Sequence, residues 1–528
     1  MIYEDKILIG KAEDKNVYML PKQLNRHGLI AGATGTGKTV TLKVIAETLS
    51  EMGVPTIFAD VKRDLTGMIE EGDAAGIQGR LESMGIKDYT VRKYPVQFFD
   101  VYREKGLPIR ASIQDMGPIL ISRILDLTDA QEGILNIIFR IANEGIIVDG
   151  ERVHLDLIDL KDLQAMCSYV GEHAQDYTLE YGNITKQSVG ALQRKLLVLE
   201  EQGGESFFGA PALDVNDLLR QKDGEGVMNI IECEKLYRHP LLYSAFFFWM
   251  LEKLQRTLPE VGDLEKPKLA FFFDEAHTLF DNTSRALMER IEQTVKSVRS
   301  KGIAVFFVTQ VPEDIPSSIL SQLSNRIQHS LRAYTPAEIK AAKLAAESFR
   351  DNPDLDEATL ISNMETGTAL VSCLDESGAP SIVEMTKILP PKSSMKMADD
   401  MRVLSVVDAS ELSYKYLEDV DPESASENID VARVKEEEAL QALEEAERLR
   451  KEEEKRRKEE EKAAAKAEER RRREEEKEAA RRKREEEKAA NEPTWSDKLA
   501  KKARNKAENE MLNIAIRQAR KYLKNFLK

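Results

Sequence analysis

The stretch GLIAGATGTGKTVTLKVIAETL, Gly28–Leu49, sets an apolar run, a glycine-studded turn and an amphipathic segment end to end. Its middle, Gly32-Ala33-Thr34-Gly35-Thr36-Gly37-Lys38-Thr39, satisfies G-x-x-x-x-G-K-[ST] at every fixed position. Glycine suits such a turn because a residue with a Cβ resists the positive φ angles that aim successive amides inward, and holds the backbone away from a phosphate oxygen. The helix expected from Lys38 onward adds its positive dipole end beneath the same anion. Lys38 supplies a mobile charge for β- and γ-phosphates, the Thr39 hydroxyl is placed to ligate Mg²⁺, and Thr41, just inside the helix, joins the nucleotide-contacting candidates.

The second informative stretch is KLAFFFDEAHTLF, Lys268–Phe280. An apolar strand ending in Asp274-Glu275 puts two carboxylates at the C-terminal edge of a parallel sheet, where open α/β folds bind ligands. Asp274 then shares the Mg²⁺ shell with Thr39, and Glu275 orients or deprotonates the attacking water, which makes ATP and Mg²⁺ the expected cofactors. A third strand, GIAVFFVTQ, ends in Gln310, the candidate sensor of the γ-phosphate from a strand lying between the other two. Asp60, Lys62 and Arg63 in FADVKRDLTGM sit at another strand end: Asp60 as support for the metal or base, Lys62 or Arg63 as phosphate contacts, or all three as an ordinary turn. Arg299, Arg326 and Arg332 are the candidates for a guanidinium supplied across a subunit boundary, with structural ion pairing or nucleic-acid contact as their alternative roles.

With 528 residues, 42% of them hydrophobic, the chain has ample material for a core and for several domains. A net charge of −16 excludes a basic field over the whole molecule but not a local basic lining for nucleic acid. Three cysteines, Cys167, Cys233 and Cys373, lie far apart without metal-ligand spacing, so a reducing compartment without a disulfide framework is expected. The N-terminus lacks the apolar region of a signal peptide, and the greasiest piece, LLYSAFFFWML, is too short to span a bilayer, so it reads as a buried core helix. A soluble, cytoplasmic protein is the expectation.

Apolar runs alternating with helical periodicity predict an α/β fold with a mostly parallel sheet. The expected strands are HGLIAGA, PTIFAD, GVMNIIECE, KLAFFFDE, IAVFFVTQ, RIQHSLRA and TALVSCL. The pattern divides the chain into a first core segment (1–111), a helical insertion (112–225), a second core segment (226–391), a linker (392–430), a charged single helix or coiled coil (431–490) and a basic amphipathic helix (491–528). In the charged tract, opposite charges recur at i,i+4 while no apolar seam is sustained, which favours a solvated single helix. In the last segment ten Lys or Arg from Lys498 onward stand against two Glu, a pattern suited to phosphate backbone, an anionic membrane surface or an acidic partner, or to packing on the body or on another subunit.

Together NRHGLIAGATGTGKT, FADVKRDLTGM, FFFDEAHTLF, GIAVFFVTQVPEDIP and SNRIQHSLRAYTP resemble the HerA/FtsK group of P-loop ATPases, and within it the bacterial HerA-like, YjgR-type helicase family, over roughly residues 1–391. The resemblance implies a RecA-like P-loop NTPase core, ATP hydrolysis with Mg²⁺, a homo-hexameric ring, and helicase or translocase action on double-stranded DNA. By match it gives Lys38 and Thr39 the phosphate-loop roles, Asp274 and Glu275 the metal and water roles, and Gln310 the sensor role. Two departures stand out: the loop at Gly32 leaves no room ahead of it for the β-barrel that HerA proteins usually carry, and neither the membrane spans nor the winged helix of FtsK-type pumps is visible. From a different class, an ATP-gated scaffold that recruits partners through the charged helix, or an inactive nucleotide-binding module, would also use this loop.

Overall fold

The structure, a computed structural model, describes residues 1–148, 150–280 and 285–485. The expected basic helix (491–528) and the end of the charged tract fall outside these residues. The chain forms two compact units, one built of Met1–Phe139, Leu157–Cys167 and Ile184–Pro422, the other of Arg140–Asp156, Ser168–Asn183 and Glu423–Lys528.

The larger unit is organised by one sheet. In chain order its main elements are β1 (Lys6–Ala12), β2 (Lys15–Met19), β3 (Gly28–Ala31), α1 (Lys38–Glu51), β4 (Thr56–Asp60), β5 (Val96–Asp100), β6 (Met228–Glu232), α2 (Pro240–Thr257), β7 (Leu269–Phe273), α3 (Arg285–Val298), β8 (Ile303–Thr309), β9 (Asn325–His329), β10 (Thr368–Ser372) and β11 (Glu384–Ile388). Across the sheet the order runs β1-β11-β10-β9-β3-β8-β7-β4-β6-β5, with β2 paired to β1. From β9 to β5 every pairing is parallel, and from β9 outward through β10, β11, β1 and β2 every pairing is antiparallel. The fold is therefore the expected RecA-like α/β core, with an antiparallel wing added at one side.

The parallel half is hydrophobic on both faces, as strands covered by helices must be. Register turns this into an aromatic ladder. Phe272 lies opposite both Phe58 and Phe306, and its ring stacks on theirs at 5.2 and 4.8 Å. Phe271 and Phe273, on the other face, both meet Phe247 of α2 edge-on. Helix α2 carries the greasy run of the sequence; Leu242–Leu251 is wholly buried, and no helix among the described residues is long and apolar enough to cross a membrane. Gly28 lies opposite Phe306, and a Cβ there would come 2.3 Å from the ring, so only glycine lets β3 pass under that aromatic.

Residues 112–225 are mainly helical, with Ile113–Ile124, Asp129–Glu144, Leu160–Glu172 and Lys186–Glu201 as the long helices and a small hairpin, Ile146–Val148 with Glu151–Val153, among them.

The segment after β11 is not a loose linker. Lys43 and Glu47, on the buried side of α1, reach it directly: Lys43 Nζ donates to Ser394 O at 2.8 Å, while Glu47 accepts from the amides of Lys392 (2.7 Å) and Ser393 (3.0 Å). Lys392 Nζ also pairs with Glu51 Oε1 at 2.6 Å. Farther along, Asp400 pairs with Arg63, and Tyr416, fully buried, receives the edge of Phe99. We call residues 390–398 the strap.

In the second unit a single helix runs Ala425–Glu485, 61 residues, on the order of 90 Å at the α-helical rise. Near its start it is tied within the unit by Arg433 to Glu172 at 3.0 Å and by Glu436 to His173 at 3.4 Å.

Candidate functional site

The loop Gly32–Gly37 leaves the C-terminal end of β3 and leads straight into α1. Gly32, Gly35 and Gly37 all take positive φ, 151°, 78° and 116°, which a side chain would oppose. Among the described residues the amides of Thr34, Gly35, Gly37, Lys38 and Thr39 make no hydrogen bond. A polar cradle of unpaired N–H groups at the start of a 14-residue helix fits an anion, and specifically a chain of phosphates. Lys38, 8% exposed, folds back over the loop with Nζ 2.6 Å from Gly32 O and 3.3 Å from Ala33 O. Burial lowers its pKa, and the charges of Glu275 and Asp274 oppose that shift, so ammonium and carboxylates face one another across the crevice.

The carboxylates arrive on β7, separated from β3 by β8, which hydrogen-bonds to both. Gln310 follows β8 directly and so stands between the loop and the acids in strand order. Its Nε2 lies 3.5 Å from Glu275 Oε2. Burial, then the neighbouring Glu275 charge, push the Asp274 carboxyl up to about 6. Glu275 is 4% exposed and sits in the left-handed region at φ 47°, an unusual conformation for a residue with a side chain. Burial alone would raise its carboxyl, but the ion pair with Lys62, with Lys38 beyond it, holds it below the usual carboxylate range. Asp60, completely enclosed at the end of β4, accepts from Leu65 N at 3.1 Å; burial and then Asp274 push it up to about 7.

A cluster of buried acids offset by only two lysines is a place where a divalent cation would relieve charge. No group of three or more His, Cys, Asp or Glu able to hold a metal unaided occurs among the described residues. Mg²⁺ characteristically takes only one or two protein oxygens and fills the rest of its shell with phosphate oxygens and water.

Other expected residues fall elsewhere. Thr41 is wholly enclosed and its hydroxyl is taken by His329 Nε2 at 2.8 Å, so it seats α1 on β9 and does not face the cradle. Arg326 begins β9, at the opposite edge of the sheet, and its guanidinium donates to the carbonyls of Leu323, Ser348 and Leu320 at 3.1, 3.1 and 3.2 Å. Arg299 also lies at that opposite edge, just before β8. Arg332, exposed and just beyond the end of β9, is on the loop's side. Arg63 is engaged by Asp400 rather than free for a phosphate.

Three contributors went unread. His329, buried under the loop with its pKa lowered to about 4 by burial and then by Lys38, sits where a Cβ on Gly32 would come 2.5 Å from its own Cβ. Gly367 N donates to Thr36 O at 3.0 Å, and Arg80 Nη2 holds Gly367 O at 2.6 Å, so the antiparallel wing braces the loop. Tyr243 of α2 donates its hydroxyl to Asp274 O at 3.2 Å. The histidine lies inside a stretch that stood out for another reason and the glycine just ahead of one, but nothing local marks long-range contacts such as these.

The family described as helicase HerA-like C-terminal matches residues 5–517. No curated protein matches the chain. Among solved structures, the bacterial conjugative coupling protein TrwBdeltaN70 is similar at 14% identity and TM-score 0.47, over 74% of this chain and 92% of that one. VirB4 of Thermoanaerobacter pseudethanolicus is similar at 15% identity and TM-score 0.47, over 74% and 97%. TrwB in complex with the ATP analogue ADPNP is similar at 15% identity and TM-score 0.46, over 73% and 93%. With the family match running through nearly the whole sequence, the chain belongs to the helicase HerA-like C-terminal family.

Proposed function

We propose that this chain is an ATP-hydrolysing motor that acts on double-stranded DNA as a homo-hexameric ring. The observation that carries the ATPase reading is the shared crevice: unpaired loop amides and Lys38 on one side, Asp274 and Glu275 on the other, all at the C-terminal edge of one parallel sheet. In this reading the loop amides and Lys38 grip the β- and γ-phosphates, and Thr39 with Asp274 holds Mg²⁺. The bound metal would neutralise charge developing on the phosphates. Glu275 orients the attacking water and receives its proton; Gln310, close to both that carboxylate and the loop, reports the state of the γ-phosphate. Arg332, exposed on the loop's side, is the arginine best placed to serve a neighbouring copy.

DNA as the substrate rests on the family and on what the HerA-like resemblance implies. The test is ATP turnover with duplex DNA, single-stranded DNA and none. Stimulation by duplex that fades as salt rises supports the motor. A second reading, an ATP-gated scaffold, rests on the 61-residue helix with its charged sequence and is favoured if no nucleic acid changes the rate at low salt.

A further inference from the structure

Both oxygens of Glu275 have polar neighbours. Its Oε1 is ion-paired to Lys62, while Oε2 faces Gln310 Nε2 at 3.5 Å and His277 Nδ1 at 3.6 Å. A carboxylate that is to orient water needs a lone pair turned to the phosphate crevice, and here the strongest contact turns it toward the end of β4 instead. The three neighbours differ in how readily they leave. Gln310 approaches at the outer limit of hydrogen bonding and His277 lies beyond it, and each follows closely on a core strand. Lys62 is an ammonium on a four-carbon stem, its side chain 42% exposed, in the turn after β4. Its neighbour Arg63 is committed to Asp400, which leaves Lys62 as the mobile cation of that turn.

We propose that Lys62 is a removable restraint on Glu275: their ion pair holds the carboxylate away from the crevice, and it is released when a phosphate captures the Lys62 ammonium. This rests on the ATPase reading above. The phosphate has two sources, the terminal group of the nucleotide or the backbone of DNA, and both bring the same chemistry to the same exposed ammonium. Lys62 is thus a positioning residue, acting through Glu275.

The test is a double-mutant cycle on the full chain with Lys62→Ala, Glu275→Gln and the pair, read by thermal unfolding without nucleotide, with ADPNP and Mg²⁺, and with duplex DNA alone. Without additions the two single changes should be non-additive, because each removes the same ion pair. ADPNP with Mg²⁺ or duplex DNA should abolish the non-additivity, and the arm that does so identifies the source of the phosphate. In turnover, where duplex DNA is the arm that abolishes it, Lys62→Ala should raise the DNA-free kcat several-fold with KM little changed, and Lys62→Arg, which keeps the charge, should restore the low rate. Additive changes in the nucleotide-free protein or non-additivity that survives both additions overturns the proposal, as does an unchanged or lowered DNA-free kcat in Lys62→Ala where duplex DNA alone abolishes the non-additivity. The unfolding cycle without additions needs no turnover, so it still decides the restraint if the wild-type chain fails to hydrolyse ATP and the ATPase reading falls.

Discussion

Beneath the phosphate loop, Thr41 Oγ1 meets His329 Nε2 at 2.8 Å, and that one contact pins the first turn of α1 to β9. Both groups are inaccessible to water, so neither can find a replacement partner. Thr41→Val keeps the volume and removes the hydroxyl, leaving a buried imidazole nitrogen unpaired. The expected cost is about 1–3 kcal/mol, read as a lowered urea midpoint with unchanged slope. Because the turn it loosens is the one that presents the loop amides, the affinity for ADPNP should fall too, while Ser at 41 should largely preserve both.

Glu275→Gln keeps the shape of the side chain and removes its charge. Under the proposed mechanism ATP should still bind but turnover should drop by roughly a hundredfold or more, since general-base help is typically worth that much. Equilibrium binding of a fluorescent ATP analogue beside steady-state turnover separates the two. Hydrolysis at the wild-type rate would remove Glu275 from the mechanism.

Gly28 passes directly under Phe306, where a methyl would lie 2.3 Å from the ring. Gly28→Ala should therefore destabilise the core by about 1–3 kcal/mol through overpacking, and should disturb β3 and the loop that follows it. Phe306→Leu in the same chain vacates that space and should recover part of the loss, visible as non-additivity in melting temperature.

His27 donates from Nε2 to Val295 O at 2.9 Å and accepts at Nδ1 from Val305 N at 3.1 Å, an arrangement open only to the neutral ring. Burial lowers its pKa from 6.5 to about 4. The unfolded chain thus binds the proton first on acidification, so the stability this residue contributes is full above pH 6.5 and is lost as pH falls toward 4. Asp60 and Asp274, raised to about 7 and about 6, slope the opposite way, so the isolating measurement is a difference. His27→Asn, which suits the positive φ at this position, should cost stability at pH 7.5 by about 1–3 kcal/mol and should cost much less at pH 4.5.

The parallel core, its edge strand β5 apart, was legible because its strands must be apolar on both faces, and all the runs that stood out, from GLIA to TALVS, lie in it or on its border. Asp274, Glu275 and Gln310 were legible by the same logic: each stands at or just beyond the end of such a run. The outer strands of the antiparallel wing, β11, β1 and β2, were not. KILIGKA and KNVYM mix lysines into short strands, and the partner of β1 lies hundreds of residues away on β11. The strap was missed for a related reason. PPKSSMK looks like solvated linker because its partners are backbone amides and the buried Lys43 and Glu47, and helical periodicity alone does not say that two charged residues of α1 face inward. Thr41 was misjudged because spacing places a hydroxyl near the loop without saying which way it turns.

The strap has a practical corollary for anyone trimming the gene. A chain ended at Pro391, where the composition changes, would strand Glu47 and Lys43 inside the protein with nothing to bond, and would take away the aspartate that steadies Arg63. Ending at Pro422 would keep the larger unit whole but would cut away the helix tied to Glu172 and His173 in the second, so a useful fragment must reach past Glu436.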